Sequence, residues 1–505
     1  MQSSACFLLY GGLAACHSNS QENLPATHQA LVQNDPHSYA NASEAKIQHL
    51  DLDLKVDFEK KILEGTAILQ LQNSSPGTTR LICDTSQLSI ESVETSSREG
   101  AYQQAKHQLG KSDPILGAPL TITLPPQTFR VRIRYATSPH ASALQWMDPA
   151  QTAGRKYPFL FSQSQPVHCR SWIPLQDSPQ VRLTYLARIH IPKGLRAVMS
   201  ASELTHTDEE FSFEMKQPIP SYLIAIAVGP LGFKALGPRT GVYAEPEILD
   251  QAAKEFSDAG KTLDIAEKTF GDYRWGRYDL LILPPSFPYG GMENATLTFL
   301  SPTVIAGDGS LLNIVAHELS HSWAGNLVTN ESWNDLWLNE GITTYLENRL
   351  MEALYGKERA DMELAVQKQS LLKTMAGQST KETVLHLNLD AQNPEEAAND
   401  VAYVKGALFM RYLEETFGHE TFDQFLRRYF DQFAFQSMNS GKFEAYLKSE
   451  LLPRLPASSS HSKEEIMASI HGWLYTPGLP QSSSPPIPGD WRLSPRRHSS
   501  GQASN

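Results

Sequence analysis

Sulfur is scarce in this chain and long greasy runs are missing. Four cysteines stand in 505 residues: Cys6, Cys16, Cys83 and Cys169. Two of them crowd the N-terminus and the other two are single and far apart. With no CxxC and no Cys/His pairing, cysteine ligation of a metal is disfavoured. Their spacing leaves open whether Cys83 and Cys169 meet in a disulfide. No interior apolar stretch reaches the roughly 18 residues that a membrane span needs. There is no basic run and no internal repeat, and the net charge is −12. That balance argues against nucleic acid or an anionic membrane surface as a main partner. What is there is ordinary for a soluble globular protein: 41% hydrophobic and 19% charged residues. The length suits roughly three domains.

The N-terminal ACFLLYGGLAACHSNSQEN runs from apolar to polar. The apolar part is too short to span a bilayer but suits the core of a signal peptide. Leu13-Ala14-Ala15-Cys16 resembles a bacterial lipobox, which implies lipidation of Cys16 and attachment to a membrane. Met1-Gln2-Ser3-Ser4 departs from that pattern, having no Lys or Arg. The expected location is the bacterial periplasm or a membrane-anchored lipoprotein, with the cytoplasm as the alternative.

Further on, HLDLDLKVDF (49–58) alternates apolar and polar residues, as a half-buried strand does. Short strand patterns recur at TAILQLQ, RLICDTSQLSIESV, LTITL, FRVRIRYA, VRLTYLARIHIP and FSFEMKQ. They predict an all-β domain over 36–236, after a leader and linker at 1–35. Within it, FLFSQSQPVHCRSWIPLQDSP is oddly polar. From residue 237 the apolar spacing turns to three and four, beginning with EILDQAAKEFSDAGKTLDIAEKTFG, which predicts a mainly helical domain over 237–455. A connector at 456–480 follows. The Pro- and Ser-rich stretch 481–505 has little to bury and is expected to be disordered.

Residues 313–325 read NIVAHELSHSWAG. On a helix, His317 and His321 lie on one face and can point at a single ion. Glu318 projects about a quarter-turn away, within reach of a metal-bound water. Leu312, Val315 and Leu319 supply a separate apolar stripe. A helix with two structurally satisfied histidines is the alternative for so short a motif. A catalytic zinc wants three protein ligands and an open position. Glu340, in WLNEG, stands in a second helical pattern 19 residues beyond His321. It can complete a His₂Glu site, and Glu347, seven residues on, shares its side of that helix.

HELSHSWAGNLVTNESWNDLWLNEGITTYLE resembles the zinc aminopeptidases of the aminopeptidase N type, a gluzincin family, and is closest to their leukotriene hydrolase branch. PPSFPYGGMEN (284–294), FSQSQPVHCR (161–170), DVAYVKGALFMRYLEETFG (400–418) and WLYTPGLP (473–480) are similar too, so the likeness runs in order from about residue 45 to 480. The resemblance implies an α+β multidomain fold: a saddle-like β domain, then a thermolysin-like helical catalytic domain. It implies one zinc ion per chain on His317, His321 and Glu340. Glu318 becomes the general base and Tyr403 the stabiliser of the oxyanion. Glu293 and Gln165 would take a substrate's free amino group, and Gly290, Gly291 and Met292 would hold the peptide. The expected partners are peptides with a free N-terminus, met by a monomeric chain.

Two departures qualify this. Where the branch has an aspartate, eight residues before the catalytic tyrosine, Glu395 stands instead, which disfavours epoxide hydrolysis. The helical C-terminal domain of the branch, with its basic residues for a substrate carboxylate, is expected to be missing or truncated. No motif places Arg496 or Arg497, and an inactive truncated product is the remaining alternative.

Overall fold

Alternation along residues 47–57 buries Ile47, Leu50, Leu52, Leu54 and Val56 and leaves the residues between them exposed or half-buried. Ile47–Asp57 is thus a strand with one face in the core. The computed structural model describes residues 35–72, 77–390 and 392–480. The lipobox-like Cys16, the leader before residue 35 and the tail after residue 480 lie outside the described residues.

Ile47–Asp57 sits inside an eight-stranded sheet. In space the order is Ser202–His206, Glu210–Pro220, Arg182–His190, Ile47–Asp57, Ile62–Leu71, Arg130–Ala136, Ser89–Ser96 and Gln103–Gln104. Neighbours are antiparallel except Ile47–Asp57 and Arg182–His190, which run parallel. Smaller sheets of four strands (Arg196–Met199, Ile226–Gly229, Phe159–Ser162, Leu144–Met147) and three (Arg80–Thr85, Ala118–Thr123, His107–Leu109) complete this β-rich part. Cys83 and Cys169 are both buried and free, so no disulfide joins them. The polar segment before Arg182 has its reason in buried charge. Arg170, 1% exposed, pairs with Asp177 at 2.9 Å and donates to the carbonyls of His37, Leu116 and Asp177. A buried guanidinium needs such partners.

The mainly helical part follows, with one difference from the sequence expectation. A mixed five-stranded sheet opens it: Gly232–Ala235, Thr240–Ala244, Tyr278–Ile282, Leu297–Leu300 and, at the edge, Gly291–Met292. Its central strands are buried on both faces, so no alternation marks them. The helical pattern over 247–271 folds as expected, into the helices α1 (Pro246–Glu255) and α2 (Ala259–Phe270). Then come α3 (Leu312–Ser320), α4 (Trp337–Tyr355), α5 (Lys357–Gly377) and α6 (Gly406–Phe417). Helices α4 and α6 cross at two glycines. A methyl on Gly341 would lie 2.6 Å from the Cα of Gly406, so nothing larger than glycine allows this approach. Just before α6, Val401–Lys405 forms a π turn, a local widening common at functional sites. The crossing brings that turn, with Tyr403, against α4 with Glu340. No described helix is long and apolar enough to cross a membrane.

Candidate active site

Helix α3 carries His317, and His321 follows as its C-cap with φ −56° and ψ −22°, still helical. Their rings therefore share one face, with centroids 4.8 Å apart. From α4, Glu340 places Oε2 3.5 Å from His317 Nε2 and 3.3 Å from His321 Nε2. Ligands about 2.0–2.1 Å from a tetrahedral zinc are separated by roughly 3.3 Å, the edge of the tetrahedron. Glu340 Oε2 is buried and has no hydrogen-bond partner. An orphaned carboxylate oxygen at that spacing from two imidazole nitrogens fits a zinc ion, and two imidazoles with one carboxylate are a donor set zinc takes.

The outward nitrogens of both rings are occupied, which leaves Nε2 to face inward. His317 Nδ1 lies 2.9 Å from Glu347 Oε2, and Asn313 donates to the other oxygen of Glu347 at 3.3 Å. His321 Nδ1 lies 2.9 Å from the carbonyl of Ala324, which also accepts from Thr343 Oγ1 at 2.8 Å. Such partners fix the ring tautomer and orientation of a metal-binding histidine. Gly325 lets the chain pass close behind: its φ is +113°, and a methyl there would lie 2.8 Å from His321 Nδ1.

A cleft of about 670 Å³ opens over these groups. Gln165, Tyr289, Glu293, Glu318, Glu395 and Tyr403 are among its lining residues. Burial pushes the Glu318 carboxyl up to about 8, against the opposing pull of His317 and His321. A base in that range is suited to proton transfer near neutral pH. Its Oε2 has no hydrogen-bond partner. Glu318 packs against Gly291, where a methyl would sit 2.2 Å from its Oε1. Gly291 and Met292 pair with Leu300 and Phe299 on one side only, leaving an edge of the sheet at the cleft. Gly290 lines the cleft beside them.

Glu293 is 4% exposed and accepts from Gln165 Nε2 at 3.2 Å. Burial raises its carboxyl, His321 opposes and Glu340 adds to the rise. The Tyr403 ring stacks on His317 with centroids 5.9 Å apart. Burial, with Glu340, Glu293 and Glu318 nearby, holds its phenol well above the usual range, so it remains a hydrogen-bond donor.

The structure thus brings His317, His321, Glu340, Glu318, Tyr403, Glu293, Gln165, Gly290, Gly291 and Met292 to one cleft. Glu395 reaches it at the rim, where its Oε1 is 2.7 Å from His168 Nε2. The outer partners Glu347, Asn313 and Thr343 were not assigned from sequence. The seven-residue step from Glu340 to Glu347 was a usable signal, because each ligating histidine needs an acceptor for its second nitrogen.

Comparison with known proteins gives a consistent result. Residues 46–223 match the Peptidase M1 N-terminal domain and residues 254–471 the Peptidase family M1 domain. A leukotriene A-4 hydrolase of Xenopus laevis is 41% identical over 464 residues, covering 88% of this chain and 74% of the relative. Aminopeptidase B of Rattus norvegicus is 37% identical, over 96% of this chain and 77% of that protein. Among solved structures, native leukotriene A4 hydrolase from Saccharomyces cerevisiae superposes with a TM-score of 0.82 at 36% identity, covering 90% of this chain and 71% of that one.

Proposed function

This chain belongs to the M1 family of zinc aminopeptidases, and we propose that its cleft removes the first residue of a peptide with Glu318 as general base, Tyr403 at the oxyanion and Glu293 on the free amine. A charge imbalance carries this reading. Glu293, Glu318, Glu340 and Glu347 are all buried beside two imidazoles, and among the described residues no lysine or arginine lines the cleft. Buried carboxylates require compensating charge. A divalent ion brings two positive charges to these four carboxyl groups, and an α-ammonium, with a reference pKa near 8, brings another. The excess of acidic groups favours a site that holds both a metal and a free N-terminus.

One zinc per chain, held by His317, His321 and Glu340, would supply a water acidified toward pKa 7 and a polarised scissile carbonyl. Glu318 takes the proton of the attacking water and later delivers it to the leaving amine. The Tyr403 hydroxyl donates to the oxygen on which charge develops, help that matters most in the transition state. An extended peptide can add its backbone to the edge at Gly291–Met292, as strands add to an open sheet. Glu293 and Gln165 stop the chain one residue beyond the scissile bond, which makes the enzyme an exopeptidase. Export with a lipidated Cys16 belongs to the same proposal, supported by the Leu13-Ala14-Ala15-Cys16 sequence after an apolar run; the mass of the mature N-terminus tests it.

The decisive assay is hydrolysis of aminoacyl-arylamides by the full chain, with and without a chelator, beside Glu318→Gln. Activity is expected to vanish in both cases. Persistence in either would sink the proposal, and so would equal cleavage of N-acetylated substrates.

A further inference from the structure

Arg182 is 8% exposed, yet among the described residues no carboxylate pairs with it. That is unusual, because buried cations as a rule sit against an opposite charge. The guanidinium instead spends its donors on neutral oxygens. Nε donates to the carbonyl of Pro218 at 2.9 Å. Nη1 donates to Thr329 Oγ1 and Nη2 to the carbonyl of Asn326, both at 2.5 Å. Arg182 belongs to the β-rich part; Asn326 lies in the loop that follows the second histidine, and Thr329 in the short strand Val328–Asn330 that ends it.

That loop has two arms. The first is Ala324, whose carbonyl holds His321 Nδ1 and is itself held by Thr343. The second is Asn326, whose Nδ2 donates to the backbone carbonyl of Glu293 at 2.8 Å. Arg182 grips the second arm directly. A planar fork with a fixed charge reaches several acceptors at set angles, which a lysine ammonium cannot do. Its charge-assisted bonds are also about twice as strong as neutral ones.

We propose that Arg182 is a positioning residue for the substrate's amino group: it fixes Asn326, Asn326 fixes the backbone of Glu293, and the Glu293 carboxylate thereby meets the amine. Thr343, through Ala324 and His321, serves the metal instead. The inference rests on the amine-anchoring role given to Glu293 above.

Two inhibitors separate these roles. Leucine hydroxamate carries a metal-chelating group and a free amine; its N-acetyl derivative keeps the chelator and side chain and loses the cation. The ratio of their inhibition constants on the zinc-loaded chain measures the amine anchor. A ratio near one in the unmodified protein would remove the anchor itself, and with it the premise. Given a large ratio there, Arg182→Lys should lower it by about tenfold, the scale of one charge-assisted hydrogen bond. The N-acetyl compound should change by less than about threefold, with zinc content intact. Thr343→Val should do the reverse, losing zinc with the ratio kept. If Arg182→Lys fails to fold, Thr329→Val, which removes the Nη1 acceptor together with the hydroxyl's own bond to the Gly325 carbonyl, carries the test with a fall of about threefold in the ratio and zinc content intact. An unchanged ratio, or parallel weakening of both inhibitors, overturns the proposal.

Discussion

Alanine at position 291 tests the proposed general base, Glu318, apart from the groups around it. Gly291 is not among the residues with positive φ, so its backbone accepts a side chain. The methyl is what has no room. Its carbon would lie 2.2 Å from Glu318 Oε1, 2.5 Å from Cδ and 2.6 Å from Cγ. Non-bonded heavy atoms settle at about 3.5 Å, so something must yield by about 1 Å. The strand is pinned by its pairing with Leu300 and Phe299. The carboxyl is not pinned, since Glu318 Oε2 has no hydrogen-bond partner. Glu318 therefore swings and the fold stays. A misplacement of about 1 Å at a reacting group costs about 100-fold in rate, roughly 2.7 kcal/mol. Gly291→Ala should lower kcat on a leucyl-arylamide by about that factor, with zinc content and melting temperature close to those of the parent. At Gly290 the added methyl would meet Ile314 at 3.5 Å, an ordinary contact, so Gly290→Ala should lose only a few-fold. Steady-state kinetics beside metal analysis decide the matter. A Gly291→Ala enzyme within about threefold of parental kcat, or one that loses rate because it loses zinc, would refute the steric reasoning.

Glu347→Gln removes the carboxylate 2.9 Å from His317 Nδ1, and the zinc dissociation constant should rise about 10- to 100-fold in chelator competition; an unchanged constant would show that the contact does nothing. Gly341→Ala would put a methyl 2.6 Å from Gly406 Cα and 2.8 Å from the Ala402 carbonyl. Backbone cannot step aside as a side chain can, so denaturant unfolding should show a loss of about 1–3 kcal/mol, with none expected only if the two helices can part. The hydrogen bond that His386 donates to the Asp335 carboxylate raises the pKa of His386, whose side chain is 37% exposed. A raised folded pKa gives stability that is complete below the ordinary value near 6.5 and fades as pH rises through the folded one. After solvent screening it amounts to no more than about 1 kcal/mol. His386→Gln should therefore destabilise the protein at pH 6 and not at pH 9, and equal effects at both would contradict this.

Which parts of this molecule could be read from its sequence follows from where each group's partner lies. The strand at Ile47–Asp57 announces itself because one face is buried and the other wet. Tyr278–Ile282 does not, because all five residues are buried and a short apolar run fits helix or strand equally. The same holds at the site. His317, Glu318, His321 and Glu340 fall within 24 residues on two helices, so the helical period alone sets their relative directions. The groups that hold them do not share that window. Glu347 finds His317 across 30 residues, and Arg182 finds Asn326 across 144. In the second case the acceptor is a backbone carbonyl, which every residue offers, so no choice of side chain at position 326 advertises the contact. Arg182 therefore reads as one more residue of an alternating strand, distinguished only once the chain has folded and left a buried charge without a counter-charge.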